Sequence, residues 1–279
     1  YQVSSEPWVF HLINLLYFFA AASLVFILAK MLTRDFLVAF VAGVLFTVHP
    51  INSVAVNWIS AIPELLLVIF ASLLSIFYIK YRQTGSFRQL LLVYLFYFLA
   101  ILSKETAVVL PLLLVALDGI FFRKSFKQLT QPAEIRNYLL FAVPLILFFV
   151  MKFSVMGFGL GGQYAQWDFL QGIYARVTWF VHYIGKLFYP YPLSLSHSFA
   201  FEKSGDFVSF RFIISFIILV LFFAALFYFI RHGKKIFAFS FIWFAVFLIS
   251  PLVFLVGEQD HLLSNRFAVS AGVGFSFVA

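Results

Sequence analysis

Long apolar segments, separated by short polar turns, make up most of the chain. An α-helix needs about 20 mainly apolar residues to cross the hydrocarbon layer, whereas a membrane β-barrel shows short strands of alternating hydrophobicity. The pattern therefore predicts an all-α fold, a polytopic transmembrane helical bundle with about eight or nine spans. The predicted spans are Trp8–Lys30, Phe36–Ile51, Pro63–Ile79, Gln89–Ser103, Thr106–Phe122, Asn137–Met156, Ser209–Ile230, Ile236–Val256 and a last one that starts at Arg266.

Prolines and one serine predict details of the helix boundaries. Pro63 is expected in the first turn of its helix, where a missing N–H group costs no hydrogen bond. Ser60 is placed to cap the same helix. Pro111, Pro144 and Pro251 lie inside or at the ends of apolar segments, where they predict kinks.

The segment Ile173–Phe188 is apolar but carries Arg176, His182 and Lys186. If it lies along the interface, most of the 19 Lys and Arg residues fall at one end of the bundle and most of the 11 Asp and Glu residues at the other. Cytoplasmic loops carry an excess of Lys and Arg, so this arrangement favours an interfacial helix. We therefore expect a multi-pass protein of a bacterial inner membrane or an ER-type membrane, with its polar site facing the periplasm or the lumen.

Composition agrees with a membrane protein. Hydrophobic residues make up 64% of the chain and charged residues 11%, and the mean hydropathy is +1.04. Soluble domains have about 45–50% apolar and about 25% charged residues, so a water-soluble globule is excluded. The net charge of +8 lies largely in loops next to the membrane. These loops are expected to attract anionic lipid and not nucleic acid.

Both ends of the sequence suggest a longer protein. The chain starts at Tyr1 without an initiator Met, and it ends inside an apolar run. We expect residues 1–279 to form a single transmembrane domain that is an internal stretch of a longer chain.

The first candidate constellation links two apolar segments, from His49 to Glu64. This link carries no Lys or Arg, and its polar residues include Asn52 and Asn57. Pro50 disfavours a helix at His49. Irregular backbone at membrane depth is tolerated only where protein buries it or where it lines a cavity. His49 and Glu64 therefore either shape a site or satisfy the backbone of a re-entrant turn.

The second constellation is the adjacent pair Lys104 and Glu105. It separates two apolar segments that are barely long enough to cross a bilayer. Charges at such a boundary are costly unless they are solvated or paired, which marks them as functional candidates. Lys104 is suited to hold a lipid-linked phosphate as a point charge, and Glu105 to steer it. The alternative is a tight hairpin that is simply exposed to water.

The third constellation runs from Gly257 to Phe267. Arg266 opens the last predicted helix, and a guanidinium there can hold a phosphate through two parallel hydrogen bonds. His261 is a further phosphate-binding candidate beside it. Adjacent Asp260 and His261 rarely chelate one ion and no spaced histidine follows, so no metal site is expected. The alternative is a solvated loop.

Five stretches, in their order and spacing, are similar to the motifs of one known family. They are Phe10–Leu16, His49–Leu66, Leu102–Glu105, Tyr189–Ser194 and Asp260–Arg266. Together they resemble the membrane domain of the GT-C glycosyltransferases, in particular the protein O-mannosyltransferase-like group that carries tetratricopeptide repeats after its membrane part. The resemblance covers nearly the whole chain.

The resemblance implies transfer of a sugar from a polyprenyl-phosphate donor to a protein or glycan acceptor on the extracytoplasmic face. In this interpretation Lys104, Arg266 and His261 bind the lipid phosphate, and Glu64, Glu105 and His49 are the catalytic residues that shape the site. The lipid-linked sugar is a substrate, and neither a cofactor nor a divalent metal is expected. The family's catalytic acid usually sits in the first external loop, which, with the first span, would precede this sequence.

A second interpretation is a non-catalytic GT-C-fold subunit or scaffold of a larger complex. The family tends to carry a basic residue where this chain has Ile62, and a Glu-Arg-Tyr pattern in the late loop where this chain reads Asp260 to Arg266. The expected partners are membrane lipid, the polyprenyl-phosphate-sugar and its acceptor, and in this second interpretation a partner membrane subunit. A transporter is favoured less, because no inverted repeat is evident.

Overall fold

The computed structural model describes residues 6–156, 169–193, 209–254 and 264–278. Within these ranges the chain forms α-helices and short 3₁₀ segments and contains no β-strand, so the all-α prediction is confirmed for them. The helices are α1 Pro7–Thr33, α2 Phe36–Val48, α3 Ser53–Asn57, α4 Ile62–Thr84, α5 Phe87–Ser103, α6 Leu110–Ile120, α7 Phe126–Leu129, α8 Pro132–Leu139, α9 Ala142–Met156, α10 Phe169–Phe188, α11 Phe210–Arg231, α12 Lys235–Phe254 and α13 Phe267–Ser276. The 3₁₀ segments are Pro50–Asn52, Ile59–Ala61 and Glu105–Val109.

Four helical stretches in the described part are long and apolar enough to cross a membrane, and a bent pair raises this number to five. The four are Trp8–Thr33, Ile59–Thr84, Pro132–Val155 and Phe210–Arg231, and the bent pair joins Phe36–Val48 to Pro50–Asn57 at 52°. Phe87–Ser103, Lys235–Ile249 and Phe267–Ser276 are shorter apolar helices. These helices are compatible with a multi-pass membrane protein. The larger count of eight or nine spans stays a prediction.

Helix boundaries follow local chemistry. Helix α2 ends at Val48, before the predicted Ile51, because His49 is extended ahead of Pro50. Pro63 stands in the first turn of α4, as predicted. The prediction for Ser60 was wrong: Ala61 precedes α4, and no side chain caps this helix.

The starts of α1 and α4 lie side by side, joined by the amide of Asn14. Its Nδ2 donates to the carbonyl oxygens of Ala55, Val56 and Trp58 at 3.4, 3.3 and 3.1 Å. These carbonyls belong to the broken stretch between α2 and α4. Its helical segments are short, so they leave some backbone carbonyl groups without an amide donor. The fully buried Asn14 thus satisfies irregular backbone, as a chain in a bilayer requires. Because α1 and α4 also pack together, they run in the same direction.

The far ends of α1, α4, α6 and α11 form what we term the basic end of the molecule. Lys235 at the start of α12 donates from Nζ to the carbonyl oxygen of Phe121, just after α6, at 3.3 Å. The turns at this end carry exposed cations: Lys30, Arg34, Lys80, Arg88, Arg123, Lys127, Arg136, Arg231 and Lys234. By the positive-inside rule this end is expected to face the cytoplasm.

Helix α13 is buried almost throughout and packs closely on α12. Gly274 makes the approach possible, since a Cβ atom there would lie 2.6 Å from the carbonyl oxygen of Ser240 and 3.0 Å from the amide nitrogen of Phe244. Trp243 Nε1 donates to the carbonyl oxygen of Ser270 at 2.9 Å. This packing fixes the position of Arg266, which immediately precedes α13.

Candidate functional site

Glu64, Lys104 and Arg266 meet at the end of the bundle opposite the basic end. Lys104 Nζ lies 2.5 Å from both Oε1 and Oε2 of Glu64. Arg266 Nε lies 4.0 Å from Glu64 Oε1. Residues from three separate stretches of the sequence thus form one cluster, which we term the outer cluster.

Local structure places each member of the outer cluster. Glu64 is in the first turn of α4, where the partial positive charge of a helix N-terminus favours a carboxylate. Lys104 follows α5 in an extended conformation, with φ of −159° and ψ of 129°, which separates α5 from the next 3₁₀ segment. Arg266 is the residue that precedes α13.

Aromatic rings cover the two cations. The ring of Phe267 lies 4.4 Å from Lys104 Nζ and 5.0 Å from Arg266 Cζ, measured to its centroid. The ring of Trp58 lies 5.2 Å from Arg266 Cζ. The faces of these rings attract cations, and they also exclude water from one side of the cluster.

The outer cluster is largely buried and carries more positive than negative charge. The side chains of Glu64, Lys104 and Arg266 are 5, 16 and 31% exposed. Burial lowers the pKa of Lys104; Glu64 opposes this shift, and Arg266 adds to it. One carboxylate faces two cations, and within the described part of the chain Arg266 Nε has no hydrogen-bond partner. Such an arrangement can hold an additional anion.

Glu105 does not join the outer cluster. Its Oε1 accepts a hydrogen bond from Lys152 Nζ on α9 at 2.7 Å, and its side chain is 60% exposed. Because Lys104 is extended, the two neighbouring side chains have different partners. The prediction of Glu105 as a site residue therefore has no support from its position.

His49 connects two backbone segments. Its Nε2 lies 2.8 Å from the carbonyl oxygen of Leu187 in the last turn of α10, and its Nδ1 accepts from the amide of Ile51 at 3.2 Å. This pattern assigns the neutral tautomer that carries hydrogen on Nε2. The ring also packs edge-on against Phe275, with 5.4 Å between centroids. None of these contacts involves the outer cluster, so the geometry shows His49 as a structural joint.

An apolar cavity of about 440 Å³ lies next to the residues that His49 contacts. It is bounded by residues of α10, α11, α12 and α13, among them Leu187, Phe222 and Phe275. His49 contacts two of these, Leu187 and Phe275. The cavity and the outer cluster therefore lie toward opposite ends of α13.

Two predicted regions fall outside the described residues. His261, the third phosphate-binding candidate, is one of them, as is neighbouring Asp260. Within the described part, no group of three or more His, Cys, Asp and Glu side chains is arranged to hold a metal ion.

A second ionic cluster, which sequence reasoning missed, lies at the basic end. Asp118 on α6 accepts hydrogen bonds on Oδ2 from Arg82 and from the hydroxyl groups of Tyr78 and Tyr138, the latter two at 2.9 and 2.8 Å. Asp118 is completely buried. Its position inside an apolar run was the available signal, because an acid there needs a partner.

Glu134 on α8 completes this inner cluster, as we term it. It accepts from Arg82 Nη1 and Nη2 at 3.0 and 2.6 Å and from Lys124 Nζ at 2.6 Å. Lys124 Nζ also lies 3.7 Å from Asp118 Oδ2. Two acids thus face two bases, and the cluster joins α4, α6 and α8.

Comparison of the whole chain with protein-family models, with curated proteins and with solved structures finds no match in any of the three.

Proposed function

We propose that this chain is the membrane part of a GT-C type glycosyltransferase, which moves a hexosyl group, for example mannosyl, from polyprenyl phosphate to a protein or glycan acceptor on the extracytoplasmic face. The observation that carries the proposal is the outer cluster. Among the described residues its two cations flank one carboxylate, which leaves a positive charge that an anionic group can neutralise. The proposal includes the GT-C-like arrangement of eight or nine spans that the sequence motifs suggest.

In the proposed reaction an acceptor hydroxyl attacks the anomeric carbon, and the bond from that carbon to the lipid phosphate breaks. Lys104 and Arg266 hold the departing phosphate, whose negative charge increases as this bond breaks. Glu64 keeps the two cations in place. The resemblance implies that the base, which takes the proton of the acceptor, is an acidic residue of the family's first external loop.

The surroundings of the outer cluster support a lipid-linked ligand. Phe267 and Trp58 bound the cations on one side. The cavity at the other end of α13 has a volume of about 440 Å³ and an almost entirely apolar wall. It therefore suits the hydrocarbon part of a lipid. A ligand with a charged head and an apolar tail matches these two features.

A non-catalytic subunit is the second candidate, and a specific observation favours it. Both described carboxylates of the predicted site are paired with lysines, Glu64 with Lys104 and Glu105 with Lys152. Both oxygens of Glu64 lie 2.5 Å from Lys104 Nζ, so neither is directed at an acceptor hydroxyl. If no other acid reaches the cluster, it can bind an anion but cannot activate an acceptor.

The test uses the full-length protein that contains this chain, reconstituted with a panel of synthetic polyprenyl-phosphate hexoses. Release of polyprenyl phosphate is measured with and without acceptor peptides. We expect Lys104→Gln and Arg266→Gln each to reduce the rate by roughly 10²–10³-fold, the usual effect of removing a donor to a developing negative charge. Lys152→Gln is the matched control, because it removes a lysine from an exposed pair at the same end.

Three outcomes separate the candidates. Loss of activity in the two cluster variants but not in the control supports the enzyme. Equal rates in all variants contradict the assigned site. Donor that binds the wild type through Lys104 and Arg266, with no release from any hexose of the panel, identifies the non-catalytic subunit.

A further inference from the structure

Helix α8 has its polar and apolar faces in the opposite sense to an ordinary surface helix. Glu134 and Tyr138, one turn apart, point into the inner cluster. The Asn137 side chain donates to the hydroxyl oxygen of Tyr81 at 3.1 Å. Ile135 and Leu139, also one turn apart, are 42 and 66% exposed. The helix therefore turns partly buried polar groups toward the protein and presents Ile135 and Leu139, together with Arg136, to its surroundings.

This arrangement is stable only where the surroundings are themselves apolar. Exposed leucine and isoleucine in water add nothing to stability, whereas in a bilayer they contact acyl chains. The stretch Pro132–Val155, which begins with α8, is long and apolar enough to cross a membrane, and only 11% of its most apolar window is buried inside the protein. Leu140 and Val143 continue the exposed apolar surface, at 40 and 59%. Helix α8 thus lies where a bilayer begins.

Exposed cations surround the start of this stretch. Arg123, Lys127 and Arg136 are all exposed, and within the described part of the chain none of them makes an ion pair with an acid. The two acids of the inner cluster, Asp118 and Glu134, pair with Arg82 and Lys124. Because these acids pair with Arg82 and Lys124, they do not neutralise the charges of Arg123, Lys127 and Arg136.

We propose that α8 and the cations Arg123, Lys127 and Arg136 form a binding site for phospholipids with anionic headgroups, in the leaflet at the basic end. The acyl chains lie against Ile135 and Leu139, and the headgroup phosphates lie among the three cations. A soluble polyanion satisfies the cations but leaves the apolar residues in water. The cations next to an exposed apolar surface therefore match the anionic headgroup and acyl chains of a phospholipid.

The test exploits the fact that the chain has no cysteine. Leu139→Cys provides the thiol for a bimane fluorophore, in full-length protein reconstituted into nanodiscs after any cysteine outside residues 1–279 has been replaced by serine. Quenching by phosphatidylglycerol with a nitroxide high on its acyl chain is compared with quenching by the matching phosphatidylcholine. We expect stronger quenching by phosphatidylglycerol at low ionic strength, and we expect the difference to shrink as salt is added, because salt screens exposed charges.

Removal of the three cations is the decisive variant. Arg123→Gln, Lys127→Gln and Arg136→Gln together are expected to make the two lipids quench equally. Arg136→Gln alone is expected to reduce the preference by roughly fivefold, the usual contribution of one cation near an anionic surface, and it serves if the triple variant does not fold. The matched control combines Lys30→Gln, Arg34→Gln and Lys234→Gln, which remove the same charge from other turns of the basic end.

Several results would overturn the proposal. These are equal quenching by both lipids in the wild type, a preference that survives Arg136→Gln and the triple variant, and equal loss in the control, which would assign the preference to overall charge. Displacement of the lipid by inorganic phosphate or by a short RNA at constant ionic strength would also contradict it, because it would identify a soluble ligand.

Discussion

The two ionic clusters lie at opposite ends of the same pair of segments, α4 and the stretch from Lys104 through α6. The inner cluster contains two acids and two bases, with Asp118 completely buried among three donors. The outer cluster contains one acid and two bases, and aromatic rings cover its cations. Burial is similar, but the charge balance differs.

This difference separates a structural cluster from a binding cluster. Buried charges are tolerated when partners compensate them, and removal of one partner is strongly destabilising. The charges of the inner cluster meet this condition within the described protein, although Asp118 Oδ1 has no hydrogen-bond partner there. Among the described residues the outer cluster keeps one cation more than it has acids, and the proposed ligand rests on this excess.

The largest expected effect breaks the inner cluster. Asp118→Asn retains the shape of the side chain but leaves the buried cluster with one excess positive charge. We expect the free energy of unfolding to fall by about 3–5 kcal/mol. Thermal unfolding in detergent, followed by circular dichroism, measures the change.

Asp35→Asn is the control for this substitution. Asp35 caps α2 by accepting from the amides of Leu37 and Val38 at 2.7 and 3.2 Å. Asparagine caps helices about as well as aspartate, so stability should change little. An equal loss in both variants would show that the burial of Asp118 is not what matters.

The second-largest effect is expected for the single acid of the outer cluster, Glu64. Glu64→Gln leaves Lys104 and Arg266 without an acid, and we expect a loss of about 2 kcal/mol, less than for Asp118 because both cations keep some exposure. Added phosphate should restore stability in Glu64→Gln more than in the wild type, since a ligand that binds the folded state stabilises it.

Phosphate should have no such effect on Asp118→Asn, because this position is completely buried and added phosphate does not reach it. A shift of the unfolding midpoint on phosphate titration measures both variants. The same phosphate response in the two clusters would remove the distinction between them.

A smaller effect is expected at His49, which belongs to neither cluster. His49→Ala removes the hydrogen bonds to Leu187 and Ile51, and a loss of about 1–2 kcal/mol is expected. The phosphate response should remain that of the wild type. A changed response would return His49 to the site, as the sequence suggested.

The smallest effect is expected at the exposed pair. Glu105→Gln breaks the contact with Lys152, and exposed ion pairs contribute at most about 1 kcal/mol. We expect a change in unfolding free energy of less than about 0.5 kcal/mol. A loss as large as that of Glu64→Gln would show that Glu105 takes part in the outer cluster.

Sequence patterns predicted the helices better than their contacts. Apolar length and proline positions were sufficient for α1, which extends slightly past the predicted Trp8–Lys30, and for the start of α4 near Pro63. They also predicted that a helix follows Arg266. These features depend on neighbouring residues, and local rules describe them.

Contacts between distant residues were harder to predict. Lys104 and Glu105 are adjacent in sequence, and nothing local indicates that one meets Glu64 and the other Lys152; the extended backbone at Lys104 decides it. The inner cluster was missed because no local pattern links Asp118 and Glu134 to a common base. Their partner Arg82 is 36 and 52 residues away from them.

The three hydrogen bonds from Asn14 have a consequence for biogenesis. The ribosome synthesises α1 before residues 55–58, so the donor is already within the bilayer when the broken stretch leaves the translocon. Its carbonyl groups can then be satisfied at once, without a period of exposure to lipid. A circular permutant that made α1 last would insert the same stretch without the donor for the carbonyl groups of Ala55 and Val56, whereas Trp58 would keep its bond from the amide of Ala61.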